Sequence, residues 1–374
     1  MSVNHPSSVP SSARRYRAVT GNILLVFVSA VLGLAIIEGL LVFFVPAPIV
    51  WLRPQEFYYP DPKVGHRLVP NQHSYTHSFP VVTNSNGLRD REFPQAPISG
   101  VVRILCLGDS LTFGDGVAVE DTYPKQLERL LNQERKNKFE VINAGVPSYD
   151  TWQEVAYFEE WGIRLKPSIV IIGFYANDIV PKPERVKGFL TEKGTLRRQG
   201  IGGMLPDVVV HTLKGSRLLL LLRDRLGKLY NQISPSMEVL QQQALLQGTE
   251  NDFVDRGWKE VDASLQKLSA LTKKNDYEVL LVIFPMAEQL IRDYPRAQYQ
   301  SRLRTIADKY HIAQIDLMES FKREFTDYGS LFIEWDGHPN ARAHGIAARE
   351  IARYLESSRS PDRSVRVLGK ESVQ

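Results

Sequence analysis

The rhythm of apolar and polar positions changes along the chain and divides it. Ile23 to Val45, ILLVFVSAVLGLAIIEGLLVFFV, is an apolar run of 23 residues broken by one charge, Glu38. At about 1.5 Å per helical residue it matches the hydrocarbon core of a bilayer. Residues 46–98 have no helical period and are rich in Pro, aromatic and turn residues; alternation in HSYTHSFPVVTNS predicts short strands, with Asn86-Gly87 as a turn. From Val101 onward, short β-branched runs alternate with amphipathic stretches. VVRILCLG (101–108), FEVINAG (139–145), SIVIIGF (168–174), YEVLLVIFP (277–285) and IAQIDL (312–317) predict strands covered on both faces. Helices are predicted around 123–135, 151–164, 256–274, 296–310 and 340–356; in the third, Trp258, Val261, Leu265, Leu268 and Leu271 keep helical spacing. This alternation predicts an α/β fold, a five-stranded parallel sheet with helices on both faces and ligands beyond the carboxyl ends of its strands.

The interval 179–255 breaks the alternation and reads as an insertion. It opens with Lys182, Arg185 and Lys187 around Glu184, then has a turn at Gly200–Gly203 and a leucine-rich helix. Leu218 to Leu222 is apolar all round but bracketed by Arg217 and Arg223, too short to span a bilayer. Leu222, Leu226, Leu229 and Ile233 continue one face. A helix packed within the fold, a lid, and a helix lying on the membrane all fit that pattern. Residues 357–374 are polar and expected to be disordered.

Arg14, Arg15 and Arg17 precede the apolar run and only Arg53 follows closely. That asymmetry predicts a cytoplasmic tail at 1–22, an anchor at 23–45, an irregular collar at 46–98 and a periplasmic or otherwise extracytoplasmic domain at 99–356. A signal peptide has an apolar core of about 7–15 residues and a small-x-small cleavage site. This run is longer, and Val45-Pro46-Ala47 is a poor site, so an uncleaved single-pass anchor is expected. Glu38 is expected to be protonated or to reach the outer headgroups, with contact to a partner helix as the alternative.

Composition narrows the function. The 374 residues are 43% apolar and 24% charged, which is ordinary globular usage. The net charge of +4 is not gathered into a stripe, so nucleic acid is not an expected partner. One cysteine, Cys106, excludes a disulfide framework within the chain and any cysteine-based metal site; inside the first strand it reads as a small apolar residue. His66, His73 and His77 have no neighbouring carboxylate to complete a ligand set and are expected in solvent. No metal or cofactor is expected.

Four weak signals gather at one edge of the predicted sheet. The first strand ends in Gly108-Asp109-Ser110-Leu111-Thr112-Phe113-Gly114, which places the Ser110 hydroxyl and its own N–H at the ligand end. A helix N-cap would account for that serine equally. The second strand ends in Asn143-Ala144-Gly145, where a glycine permits close backbone approach or simply makes a turn. The third runs into Asn177-Asp178, an amide donor beside a carboxylate. The loop Glu334-Trp335-Asp336-Gly337-His338-Pro339-Asn340 enters the last helix and supplies His338 with a carboxylate two residues before it. Together these give a nucleophile, a base, an orienting acid and oxyanion donors, the inventory of acyl transfer through a tetrahedral intermediate.

On these residues the chain resembles the SGNH, or GDSL-type, hydrolases. GDSLTFG corresponds to the family's first block, NAG to its second, Asn177-Asp178 to its third and DGHPN to its fifth, in that order across residues 101–356. The collar, YYPDPKVG and TNSNGLRD, also looks like a segment that precedes such domains in membrane-anchored bacterial members. The resemblance implies a flavodoxin-like fold and a serine esterase without cofactor. It makes Ser110 the nucleophile, His338 the base, and Ser110 N–H, Gly145 N–H and the Asn177 amide the oxyanion donors. The family places its acid three residues before the histidine, where this chain has Trp335; Asp336 is expected to take the role, with Glu334 the rival. The expected substrate is an acylated envelope glycan or lipid. An O-acyltransferase using the same residues is the alternative, and a non-catalytic glycan-binding or assembly subunit the third reading.

Overall fold

Five apolar runs form one parallel sheet: β1 (Val102–Gly108), β2 (Phe139–Gly145), β3 (Ile169–Phe174), β4 (Glu278–Ile283) and β5 (Ala313–Asp316). The spatial order is β2-β1-β3-β4-β5, so successive strands are added first on one side of β1 and then on the other, and ligands in such sheets bind at that switch. The computed structural model describes residues 11–44, 56–133, 139–181, 189–190, 196–197, 216–234, 237–249, 251–334 and 336–359. The cationic opening of the insertion, the Gly200–Gly203 turn, Arg53, Trp335 and the tail from 360 lie outside those residues.

Alternation within each strand builds two cores. Leu105, Leu107, Ile142, Val170, Ile172 and Leu281 face the helices Thr151–Glu160, Asp252–Asn275 and Tyr299–Lys309. Ile104, Cys106, Val141, Ile171, Leu280 and Val282 face Tyr123–Asn132 and Ala341–Arg359. The expected face of the helix Asp252–Asn275 is the buried one, with Trp258, Val261, Leu265 and Leu268 in the core. Burial pushes the Cys106 thiol up, which leaves it an inert core group.

Three glycines shape the edge that carries Ser110. Gly108 pairs with Gly145 on one side and Gly173 on the other. A Cβ at Gly145 would lie 2.2 Å from Phe113 N, and one at Gly108 1.9 Å from Thr112 Oγ1. The short helix Ser110–Phe113 therefore rests directly on the sheet's end, held by Thr112 Oγ1 donating to Leu107 O at 3.2 Å.

Residues 56–98 pack against this domain. Hairpins Tyr58–Asp61/Gly65–Leu68 and His73–Thr76/Phe79–Val82 precede the turn at Asn86-Gly87, where Asn84 Oδ1 accepts from Asn86 N and Leu88 N. The buried Arg89 guanidinium donates to the carbonyls of Phe113, Gly114 and Val117 at 2.7–3.1 Å. Asp90 accepts from Asn143 N and from Lys125 Nζ. TNSNGLRD is thus a buttress that fixes the loop behind Ser110 and the end of β2.

Chain contacts separate two units, residues 1–48 with 206–232 and the remainder. In the first, Val19–Phe44 belongs to a helix long and apolar enough to cross a membrane, although a signal sequence has the same character. Glu38 accepts from Ser216 Oγ at 2.8 Å and from the N–H groups of Arg217 and Leu218 at 2.6 and 3.0 Å. The carboxylate thus caps the helix Arg217–Ile233, so Glu38 does contact a helix, one drawn from this chain. In the second unit the helix Met237–Gln247 is an ordinary packed element: Gln241 donates to Ala176 O and Ile179 O, and Ala244, Leu245 and Leu246 are buried.

Candidate active site

Four loops converge at the carboxyl edge of β1, β2 and β3. Ser110 opens its helix beneath Asp109, whose carboxylate accepts from Leu111 N at 2.8 Å and from Asn177 Nδ2 at 2.7 Å. Asp109 and Asp178, which accepts from Tyr175 N at 2.9 Å, both hold loop backbone or side-chain amides. His338 Nε2 lies 2.9 Å from Ser110 Oγ, and His338 Nδ1 is hydrogen-bonded to Asp336 Oδ1.

The loop before the last helix is built for that contact. Ile333 donates to His338 O, and both Asp336 N and Gly337 N donate to Ile333 O, which folds the segment back on itself. Gly337 sits at φ +94°, a left-handed conformation that glycine adopts without steric cost. Asp336 is thereby brought under the imidazole, and its Oδ1 also takes His338 N–H at 3.3 Å. Glu334, the rival acid, lies instead beside Gly329.

The expected oxyanion donors are placed unequally. Asn177 spends one amide hydrogen on Asp109 and has a second. Gly145 N–H donates to Asn143 Oδ1 at 3.0 Å, so this backbone group is engaged within its own strand. The glycine there is already required by the close seat of the helix Ser110–Phe113.

Two groups at the site were not legible in the sequence. Asp115 Oδ2 lies 3.9 Å from His338 Nε2, and its carboxylate accepts from Thr76 Oγ1. His77, expected in solvent, is 6% exposed; Nε2 is 3.1 Å from Asp336 Oδ2 and Nδ1 3.5 Å from Asp115 Oδ1. His66 is buried too, bonded to Pro147 O at 3.0 Å between the rings of Tyr58 and Tyr149, and only His73 is exposed. The sequence reading failed because the partners of both buried histidines come from remote parts of the chain. His344, by contrast, is a packing residue that accepts from Tyr123 N, and burial pushes it down to about 3.

The electrostatics follow from this crowding. Burial disfavours charge on His338, but the hydrogen bond to Asp336 and the nearby carboxylates Asp115 and Asp109 outweigh it and raise its pKa to about 9. Burial would raise Asp336, yet its bonds to His338 and His77 hold it well below the usual carboxylate range. Beneath the site, burial and then the Asp109 charge keep Glu154 well above that range, and burial with Glu154 and Asp109 does the same to Asp178. Glu154 is therefore neutral in the fold and ionised in the unfolded chain above about pH 4.3. Its contribution is unfavourable as pH rises, because unfolding then releases a proton. Glu154→Gln keeps the shape and removes that penalty, so its melting temperature should exceed the parent's at pH 8. The gain should shrink toward pH 4; a gain independent of pH would show that ionisation is not its cause.

A hydroxyl, an imidazole and a carboxylate in contact at the ligand edge of a parallel α/β sheet is the arrangement of a serine-nucleophile enzyme. The chain belongs to the GDSL-like lipase/acylhydrolase family, whose model matches residues 106–346. Among solved structures it is similar to a two-domain esterase active on acetylated mannans, co-crystallised with mannopentaose, at 16% identity and TM-score 0.40 over 69% of this chain. The match spans 50% of that esterase, about half its length. It is also similar to a catalytic mutant of an acetylxylan esterase from Geobacillus stearothermophilus, at 18% identity and TM-score 0.41, covering 69% of this chain and 95% of that one. No curated protein matches the sequence.

Proposed function

We propose that this hydrolase works by a serine nucleophile, with Ser110, His338 and Asp336 as its catalytic triad. The observation that carries the reading is the continuous contact from Asp336 through both nitrogens of His338 to Ser110 Oγ. Ser110 Oγ attacks the ester carbonyl while His338 Nε2 takes its proton. The developing oxyanion is met by Ser110 N–H and the second amide hydrogen of Asn177, with Gly145 N–H joining once it turns from Asn143. His338 returns the proton to the departing alcohol. Water then gives a proton to His338 and attacks the acyl carbon, which releases the acid and restores Ser110.

The base must be neutral to begin this cycle. With His338 at about 9, the neutral fraction grows as pH rises toward that value, so kcat/KM should climb through pH 7–9 and level off above. A profile already flat from pH 6 would contradict that basicity.

We infer further that the substrate is an O-acylated envelope glycan or lipid met outside the cytoplasm. The apolar helix and the arginine-rich segment before it support that side of the membrane. Protease added outside spheroplasts should digest the catalytic domain while the chain keeps its full-length mass; a mature form beginning near Ala47 would replace the anchor with a signal peptide. The chemistry is tested by assaying the detergent-solubilised full chain on p-nitrophenyl acetate and on acetylated oligosaccharides, with and without sugar acceptors. Release of free acid supports hydrolysis, and acyl groups recovered on the acceptor would identify a transferase.

A further inference from the structure

His77 and Asp115 stand at the site without a role in the chemistry above. His77 forms the tip of the hairpin His73–Thr76/Phe79–Val82, with φ at +54°, a conformation that β-hairpin tips adopt but that few non-glycine residues choose. Its side chain is 8% exposed and lies between two carboxylates, Asp336 and Asp115. Each has a second oxygen that faces His338: Asp336 Oδ1 at Nδ1, and Asp115 Oδ2 3.9 Å from Nε2. The four groups therefore close a ring in which acids and imidazoles alternate. The surroundings are shaped to keep it closed. A Cβ on Gly116 would stand 3.1 Å from His77 Nδ1, and Thr76 Oγ1 donates to Asp115 while accepting Gly116 N–H at 3.0 Å.

The charges explain what such a ring does. Asp115 and Asp336 together place two negative charges against His338, and both hold a proton on it. Glu56 and the Arg89 guanidinium act on the Asp115 carboxylate with opposite signs. The remaining cation is His77: burial opposes its charge, but Asp115 and Asp336 raise it to about 10. We propose that His77 is a positioning residue for the ester chemistry: as an imidazolium between Asp336 and Asp115 it aims Asp336 at His338 Nδ1 and keeps the Asp115 charge from holding the proton on Nε2. The segment before the α/β domain thus completes the site.

This inference rests on the triad reading, so its test includes a measurement that needs no turnover. His77→Gln keeps a donor and loses the charge. With p-nitrophenyl acetate, the rising limb of kcat/KM should move up by about one pH unit and kcat at pH 8 should fall about tenfold, with KM little changed. Asp115→Asn removes the opposing charge and should move the limb down by about as much, and the double variant should return it near the parent's position. The same two shifts, and the return in the double variant, should appear in the NMR titration of His338 in Ser110→Ala protein, whatever the substrate. A folded His77→Gln with an unmoved limb overturns the proposal, even if its activity falls. If His77→Gln does not fold, an unmoved or raised limb in Asp115→Asn overturns it. Absence of any ester turnover in the parent overturns the triad reading alone and leaves the NMR titration as the judge of His77.

Discussion

Alanine in place of Ser110 is expected to reduce ester turnover by about 10⁴–10⁶, the largest effect of any single substitution in this chain. On the proposed mechanism the group removed forms the covalent bond, and no neighbour can replace it. Thr112, the other hydroxyl on the same helix, is bound to Leu107 O and Tyr123 OH beneath the helix. Cys106 is fully buried inside β1. The fold should survive, because the helix Ser110–Phe113 is fixed by Asp109, Thr112 and the carbonyl bonds of Arg89 rather than by Ser110 Oγ. A fluorophosphonate should therefore label the parent and leave Ser110→Ala unlabelled, while both melt at closely similar temperatures. Activity near the parent's in a folded Ser110→Ala protein would end the nucleophile reading.

The sheet was legible in the sequence because its signal is local. Runs such as SIVIIGF are β-branched and apolar on both faces, and nothing but a covered parallel strand suits them. FEVINAG coincides with its observed strand, and the other predicted strands run one or two residues past theirs at one end or both. Ser110, Asp336 and His338 were legible for another reason: each sits in a short motif whose backbone needs are local, the clearest being Gly337 at positive φ. Asp115 and His77 carry no such signature. Asp115 follows Gly114 as any turn aspartate would, and His77 meets its two carboxylates only after the chain has folded. The same holds for Arg89, a buried cation whose partners are backbone carbonyls, groups that every residue possesses. Sequence pattern reports periodicity and local turns; it is silent about a charged side chain whose environment is assembled from remote backbone. The Gly145 donor shows the converse limit. Its motif was recognised, yet the glycine is demanded by the seat of a helix, and its N–H is directed at Asn143.

Neutralising Asp336 should cost nearly as much as removing the base it serves. In the folded protein its Oδ1 accepts the proton on His338 Nδ1, and this fixes the tautomer that leaves Nε2 free to accept from Ser110 Oγ. Asparagine can turn its NH₂ toward Nδ1, which then becomes the acceptor and moves the ring proton to Nε2, where it blocks the transfer from serine. The imidazolium formed in the transition state also loses its counter-charge. Asp336→Asn is accordingly expected to lower kcat by up to about 10⁴, with KM for a small aryl ester little changed. Glu334→Gln, beside Gly329 and away from the imidazole, should stay within about threefold of the parent. Because the members of a catalytic triad act as a unit, the proposed assignment requires Asp336→Asn combined with Ser110→Ala to be no slower than Ser110→Ala alone. That non-additivity separates a catalytic loss from misfolding, which would add to the serine defect and lower the melting temperature. A crippled Glu334→Gln beside an active Asp336→Asn would transfer the acid's role to Glu334 and require the loop to adopt another geometry in the working enzyme.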